Sequence, residues 1–354
     1  WSLRRGRMSC LQKLRAGPLA LLFWLIAFRG LLVWLPAPAW PGTMDAFPLL
    51  AHYENGWDDS FPSSWPALKA RWRHIDVLSP LWYSVDGEGR VSDVRFRPEV
   101  MEFCRVRGIP VMPLVTAPPA ASEPRSFLSS TEATRRALAA LGALVRRHGY
   151  GGLVVAFGKV SPQEREEFAR FVVDLRERLR VSGRRLWVYL PDAHSIQEWP
   201  PELFDRLATA AERLVIPAYD RHNLHTGPGP VAPAPWVREL VREIAAHVPT
   251  RQLVLGLGAF GYEWPAQAGA GKAEYVSTNE ARARADQQGV SPERDPESGE
   301  MHYRYRRDGL PREVWYQDEV SLRLLIGLAR EEGLGGVAYW RLGFGGDALW
   351  EEPE

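Results

Sequence analysis

The stretch TEATRRALAALGALVRRHGYGGLVVAFGKVSPQEREEFARFVVDLRERLR, residues 131–180, decides the fold. Its first part, Thr131–His148, sets Leu138, Leu141, Leu144 and Val145 on one stripe at three-to-four spacing. Arg135, Arg136, Arg146 and Arg147 take the opposite side. That is the period of a helix with one face in a core. Next comes Leu153–Phe157, an apolar run behind two glycines, of a length that suits a buried strand. A second helical stretch, Pro162–Arg180, opens with Ser161 as N-cap and proline at the first helical position. Glu164 stands where a capping box places its acid. Helix, buried strand, helix is the repeating unit of an α/β protein.

The same alternation runs outward in both directions from about Asp45 onward. Candidate strands are Pro48–Tyr53, Ile75–Tyr83, Pro110–Thr116, Leu153–Phe157, Leu186–Leu190, Leu214–Ala218, Leu253–Leu257 and Gly336–Arg341. Further helical segments are Pro201–Arg213, Trp236–His247 and Val320–Glu332. Eight strands alternating with helices over about 300 residues predict a closed (β/α)8 TIM barrel. A doubly wound open sheet is the alternative, and no G-x-G-x-x-G at a strand–helix turn supports it. Residues 261–317 break the alternation. They are polar, Gly-rich and charged, with strand-like Met301–Tyr305 and Glu313–Tyr316, and are read as a small α+β insertion after strand seven.

Composition bounds the function. The 44 Lys+Arg against 43 Asp+Glu leave a net charge of +1, so there is no basic excess with which to grip nucleic acid. Two cysteines, Cys10 and Cys104, exclude a disulfide scaffold and a Cys-rich metal site. The basic residues Arg4, Arg5, Arg7, Lys13 and Arg15 precede the apolar run Leu19–Leu35, and Ala37-Pro38-Ala39 follows it. Residues 1–39 are therefore expected to be a signal peptide or signal anchor, making the protein secreted or membrane-anchored, on the outer side of the membrane. Arg29 inside the run counts against a spanning helix. Membrane contact is expected through this segment only.

In a barrel the chemistry sits at the C-terminal ends of the strands. Those ends carry Tyr53, then Trp82 and Tyr83, then Tyr219 and Asp220, then Tyr262 and Trp264, and finally Trp340. With 15 Trp, 11 Tyr and 13 Phe in the chain, such a set can wall a flat cleft against the apolar face of a pyranose ring. The competing reading makes each of these rings an ordinary barrel-core aromatic.

Residues 46–345 resemble the family 18 glycoside hydrolases (chitinase-like), closest to the spore-germination type that cleaves peptidoglycan or related N-acetylglucosamine polymers. The resemblance rests on Pro80-Leu81-Trp82-Tyr83-Ser84-Val85-Asp86, on Ala218-Tyr219-Asp220 with the Gly227–Pro233 run, and on Leu255-Gly256-Leu257. It continues through Phe260-Gly261-Tyr262-Glu263-Trp264, Val314-Trp315-Tyr316-Gln317-Asp318 and Gly336–Gly343. It implies substrate-assisted hydrolysis, in which the sugar's own 2-acetamido carbonyl attacks the anomeric carbon. A Glu at the end of strand four protonates the leaving oxygen, and an Asp two residues earlier orients the acetamide, within a pattern Asp-Gly-x-Asp-x-Asp-x-Glu. This chain reads Gly151-Gly152-Leu153-Val154-Val155-Ala156-Phe157-Gly158 at that place. Gly158 holds the acid position, Ala156 the acetamide-orienting position, and Gly151 and Val154 the first two acidic positions. The binding side of the family's site is matched by Tyr219, Asp220 and Trp340, with Tyr53, Trp82 and Tyr262 as further substrate-binding candidates. Pro217 and Ala218 depart from the Met and Thr common before the Tyr-Asp pair.

Other constellations carry less. Gly269-Ala270-Gly271-Lys272 fails as a phosphate loop, since position 266 is Ala and 273 is neither Ser nor Thr. His222 and His225 could be metal ligands, but a Gly/Pro-rich loop frames them poorly, so they are read as a polar loop. Asp58-Asp59 beside Trp57 is read as a turn cap over a carboxylate pair. Glu164, Glu166 and Glu167 are read as capping and surface acids. Arg304, Arg306 and Arg307, alternating with Tyr303 and Tyr305, could meet an acidic polymer. One wet face of a hairpin is favoured. No Gly-x-Ser-x-Gly elbow is present. No cofactor and no metal are expected. The expected function is binding of N-acetylglucosamine-containing glycan by a barrel that has lost its catalytic acid. A weak or altered glycosidase with an acid from the insertion, and an interaction scaffold with a vestigial cleft, are the alternatives.

Overall fold

The helix–strand–helix unit forms where its sequence places it. In this computed structural model, which describes residues 47–350 apart from 58–60, 94, 118–125, 159, 192, 194–195, 267–271 and 346, the first helix spans Thr131–His148. Ser130 caps it by accepting the Ala133 N–H at 3.3 Å, and Gly149 ends it in the left-handed conformation. Its stripe of Leu138, Leu141, Leu144 and Val145 is buried. The second helix runs over Arg165–Arg180 behind a short 3-10 turn, Pro162–Glu164. Ser161 starts that turn but does not close a capping box. Its hydroxyl instead donates to the Glu164 carboxylate at 2.6 Å. The expectations for residues 1–39, for Asp58-Asp59 and for Gly269–Gly271 fall outside the described residues.

Eight parallel strands close on themselves. They are β1 (Leu49–Tyr53), β2 (Val77–Val85), β4 (Leu114–Thr116), β5 (Gly152–Ala156), β6 (Arg185–Tyr189), β7 (Arg213–Ile216), β8 (Leu253–Gly258) and β14 (Val337–Trp340). Each pairs with the next, and β14 pairs with β1 to complete the (β/α)8 barrel. The short β3 (Val91–Ser92) adds antiparallel to the end of β2. Side chains alternate, so one set fills the barrel and the other meets the helices. The inner set is Leu50, Val77, Met112, Leu114, Val154, Trp187, Val215, Val254 and Ala338. Gly152 is required where β5 and β6 approach, because a Cβ there would lie 2.1 Å from the Arg185 carbonyl oxygen.

Between β8 and the last barrel helix (Glu319–Glu331) the chain builds a second sheet. Strands β9 (Phe260–Pro265), β10 (Glu274–Ser277), β11 (Glu293–Arg294), β12 (Met301–Arg307) and β13 (Leu310–Tyr316) lie in the order β10-β9-β13-β12-β11, all antiparallel. A helix, Thr278–Gln288, covers one face over Val276, Tyr303, Tyr305, Val314 and Tyr316. Sequence periodicity misses that helix because its buried positions are Thr278, Ala281 and Ala285, too small to stand out. It also misses Trp65–Arg71 and Pro98–Arg107, which are short. Cys104 is core, and burial pushes its thiol up to about 12. No helix among the described residues is long and apolar enough to cross a membrane.

Candidate functional site

The end of β5 decides what the barrel can catalyse. Ala156 is the last strand residue, half-buried and facing inward beside Tyr189 and Trp340. Two residues on, Gly158 is exposed and left-handed, with φ +64 and nothing within 4 Å of where a Cβ would stand. Beneath them Val154 pairs in register with Trp187, and both lie in the inner apolar layer. A carboxylate in that layer would meet mainly Leu and Val side chains, with the unpartnered Trp187 Nε1–H as the donor paired beside it.

Past β6, around the ends of β7 and β8, stands a polar and aromatic wall. Tyr262, on β9, donates its hydroxyl to Asp220 Oδ1 at 2.5 Å. Burial, with the Asp220 carboxylate beside it, raises the Tyr262 pKa and keeps that phenol protonated. Asp220 is itself left-handed, φ 65, a conformation that costs a non-glycine residue energy and that its surroundings must hold. Tyr219 packs edge-on against Phe260, ring centroids 5.5 Å apart. Its phenol is raised by burial and then by Asp220. Trp264 is buried and donates Nε1–H to the Asn223 carbonyl at 3.0 Å, clipping the loop behind Asp220 to the second sheet. The far end of that loop is held by Glu300, fully buried, which accepts the Val231 and Ala232 N–H groups at 2.8 and 2.6 Å. Burial, against these hydrogen bonds, raises Glu300 to about 7.

The floor is Trp340 at the end of β14, half-buried, with Tyr275 of β10 beside its indole and His52 of β1 at 5.2 Å between ring centroids. Arg341 follows, fully buried, and pairs with Glu54 at 2.9 Å. Its Nη1 also donates to Ser64 Oγ and to the Pro62 carbonyl, both at 3.0 Å, tying the loop after β1 to the end of β14. Burial raises Glu54, with Arg341 opposing, and burial lowers Arg341.

Of the six binding candidates, Tyr219, Asp220, Tyr262 and Trp340 come together around the strand ends. Tyr53 and Trp82 do not. The inward parity on β1 is Leu50 and His52, and on β2 it is Val77 and Leu81, so Tyr53 and Trp82 point the other way. They pack on each other at 6.4 Å, and Trp82 packs on Phe96, beneath the outer helices. Parity, which the sequence contains, would have separated them. The same rule picks out His52 and Tyr189, which face inward at strand ends.

On the insertion, Glu263, Glu274 and Glu313 are committed to arginines. Glu263 meets Arg284 at 2.6 Å and Arg307 at 3.0 Å, Glu274 meets Arg307, and Glu313 meets Arg304 at 3.0 Å. These pairs also engage Arg304 and Arg307, while Arg306 donates to the Gly309 carbonyl at 2.7 Å. On the helix after β5, Glu166 pairs with Arg206 and Glu167 with Arg170. His222 Nδ1 lies 3.0 Å from the Gly227 carbonyl within an exposed loop. Among the described residues no group of three or more His, Cys, Asp or Glu side chains is arranged to hold a metal.

Comparison with known proteins agrees with this geometry. The sequence profile described as Glycosyl hydrolases family 18 matches residues 119–345. A cortical fragment-lytic enzyme of Bacillus subtilis is 27% identical over 234 residues, covering 64% of this chain and 54% of that protein. A chitinase structure from Chromobacterium violaceum superposes with TM-score 0.76 at 24% identity, covering 86% of this chain and 97% of that one. The Bacillus megaterium spore cortex-lytic enzyme SleL gives 0.74 at 17% identity, covering 86% and 72%. Across the curated relatives that match, the chain spans 47–66% of their length.

Proposed function

The chain belongs to glycosyl hydrolase family 18, and we propose that within it this protein binds N-acetylglucosamine-containing glycan, peptidoglycan or chitin-like, without cleaving it. One observation carries the reading: the fourth barrel strand ends at Ala156 with Gly158 two residues beyond, while Tyr219, Asp220, Tyr262 and Trp340 gather around the strand ends. A positioned general acid is worth roughly 10²–10⁴-fold, and the orienting carboxylate adds to that. A cleft with neither keeps affinity and loses turnover. The names of the relatives, a cortical fragment-lytic enzyme, a spore cortex-lytic enzyme and a chitinase, favour a glycan of the cell envelope or spore.

In this reading residues 1–39 direct the barrel, residues 46–345, out of the cell or anchor it there, and residues 261–317 form the insertion that walls the cleft. The test is product analysis by mass spectrometry after overnight incubation with chitin oligomers and peptidoglycan fragments, beside an active family member. The expected result is intact substrate, retained on the immobilised protein. New shorter oligomers above the blank would overturn it.

A further inference from the structure

Strands β5 and β6 lie side by side with Val155 paired to Val188, so Ala156 and Tyr189 come at one level on neighbouring strands, both facing into the barrel. Ala156 offers only a methyl group. Tyr189 carries the polar atom, and part of its surface stays open. Its hydroxyl lies 2.6 Å from His52 Nε2 and also hydrogen-bonds with the Tyr219 hydroxyl.

His52 is fully buried on β1, and burial lowers its pKa to about 3, so the imidazole is neutral. A neutral imidazole has one N–H and one lone pair. The Ser79 backbone, paired with His52 in register, raises the ring's proton affinity against the larger effect of burial. Nδ1 closes no hydrogen bond of its own, which leaves Nε2 as the ring nitrogen that meets Tyr189. With the proton on Nδ1, Nε2 accepts the Tyr189 O–H. In that tautomer the phenol proton is committed inward to His52, and the oxygen keeps its lone pairs for another partner. A phenol held this way is an acceptor, which is the capacity Ala156 lacks.

We infer that Tyr189, positioned by His52, determines specificity by accepting the N–H of a bound sugar's 2-acetamido group. The polar function has thus moved from the fourth strand to the fifth. The inference rests on the glycan-binding reading above, and the experiment separates the two.

The full chain is titrated calorimetrically with chitin hexamer and with cellohexaose, which carries a hydroxyl in place of the acetamide. The unaltered protein prefers the chitin hexamer. Tyr189→Phe keeps the ring and removes the acceptor, so affinity for the chitin hexamer falls about tenfold, one hydrogen bond's worth, and cellohexaose binding stays constant. His52→Gln, whose amide oxygen can still take the phenol proton, retains most of the preference, while His52→Leu loses it. Should Tyr189→Phe fail to fold, the His52 pair carries the same test. Equal weakening toward both sugars, or none, would refute the role of Tyr189. An unaltered protein that binds neither sugar would instead refute the glycan reading itself.

Discussion

Replacing Gly158 tests the account of the fourth strand at the point where it matters. At φ +64 an L-residue brings its Cβ against the following carbonyl, at a cost of about 1–2 kcal/mol. Nothing lies within 4 Å of that Cβ and the residue is exposed, so the cost is confined to the backbone. Gly158→Ala and Gly158→Glu should therefore lose the same stability, about 1–2 kcal/mol, and differ by less than about 0.5 kcal/mol as surface substitutions do. Urea unfolding read at a common m-value measures both. A loss above about 3 kcal/mol for glutamate alone would refute the open space, and no loss for either would refute the left-handed backbone. Gly158→Glu should bring no turnover by itself, because Ala156 still cannot orient an acetamide. Adding Ala156→Asp supplies that group, though beside Tyr189 and the apolar inner layer its proton affinity rises. The double variant is where product should first appear, and product from either single variant would show that the two positions do not act together.

Other expectations follow from neighbouring contacts. Trp340→Ala should weaken binding of chitin oligomers by roughly 1–3 kcal/mol, as loss of an aromatic anchor does, and unchanged retention on chitin would favour the scaffold reading. Arg341→Met leaves Glu54 buried without its partner and should cost about 3–5 kcal/mol by chemical denaturation; a loss under 1 kcal/mol would mean Glu54 is held neutral. Glu300 binds its proton more tightly folded (about 7) than unfolded (4.5), so the folded state carries the extra proton between those values. Its contribution is full below about pH 4.5, falls as pH rises to about 7, and is then flat, on the order of 3 kcal/mol in all. Glu300→Gln should remove that slope from the pH dependence of unfolding, and an unchanged slope would place the titration on another group.

Much of this was legible because it is periodic. The stripe Leu138, Leu141, Leu144, Val145 and the run Leu153–Phe157 set a helix and a strand to within a residue or two, since 3.6 and 2 are the only periods that bury one face. Thr278–Gln288 was not legible, because alanines bury without announcing themselves. Short helices such as Trp65–Arg71 complete too few turns to show a pattern.

The site divides along the same line. Strand order comes from the sequence alone, and so does the expectation that Ala156 and Gly158 stand where the family pattern has acids and Tyr219, Asp220 and Trp340 where it has binders. Parity sent Tyr53 and Trp82 outward and brought His52 and Tyr189 in, and a sequence holds that information once strand limits are fixed to the residue. Only the closed barrel could set His52 on the first strand 2.6 Å from Tyr189 on the fifth, or Tyr262 of the insertion on Asp220. Those pairs lie 137 and 42 residues apart along the chain. Local propensity fixes an element within its own few turns, whereas the contacts that make a cleft join elements that meet only when the barrel shuts.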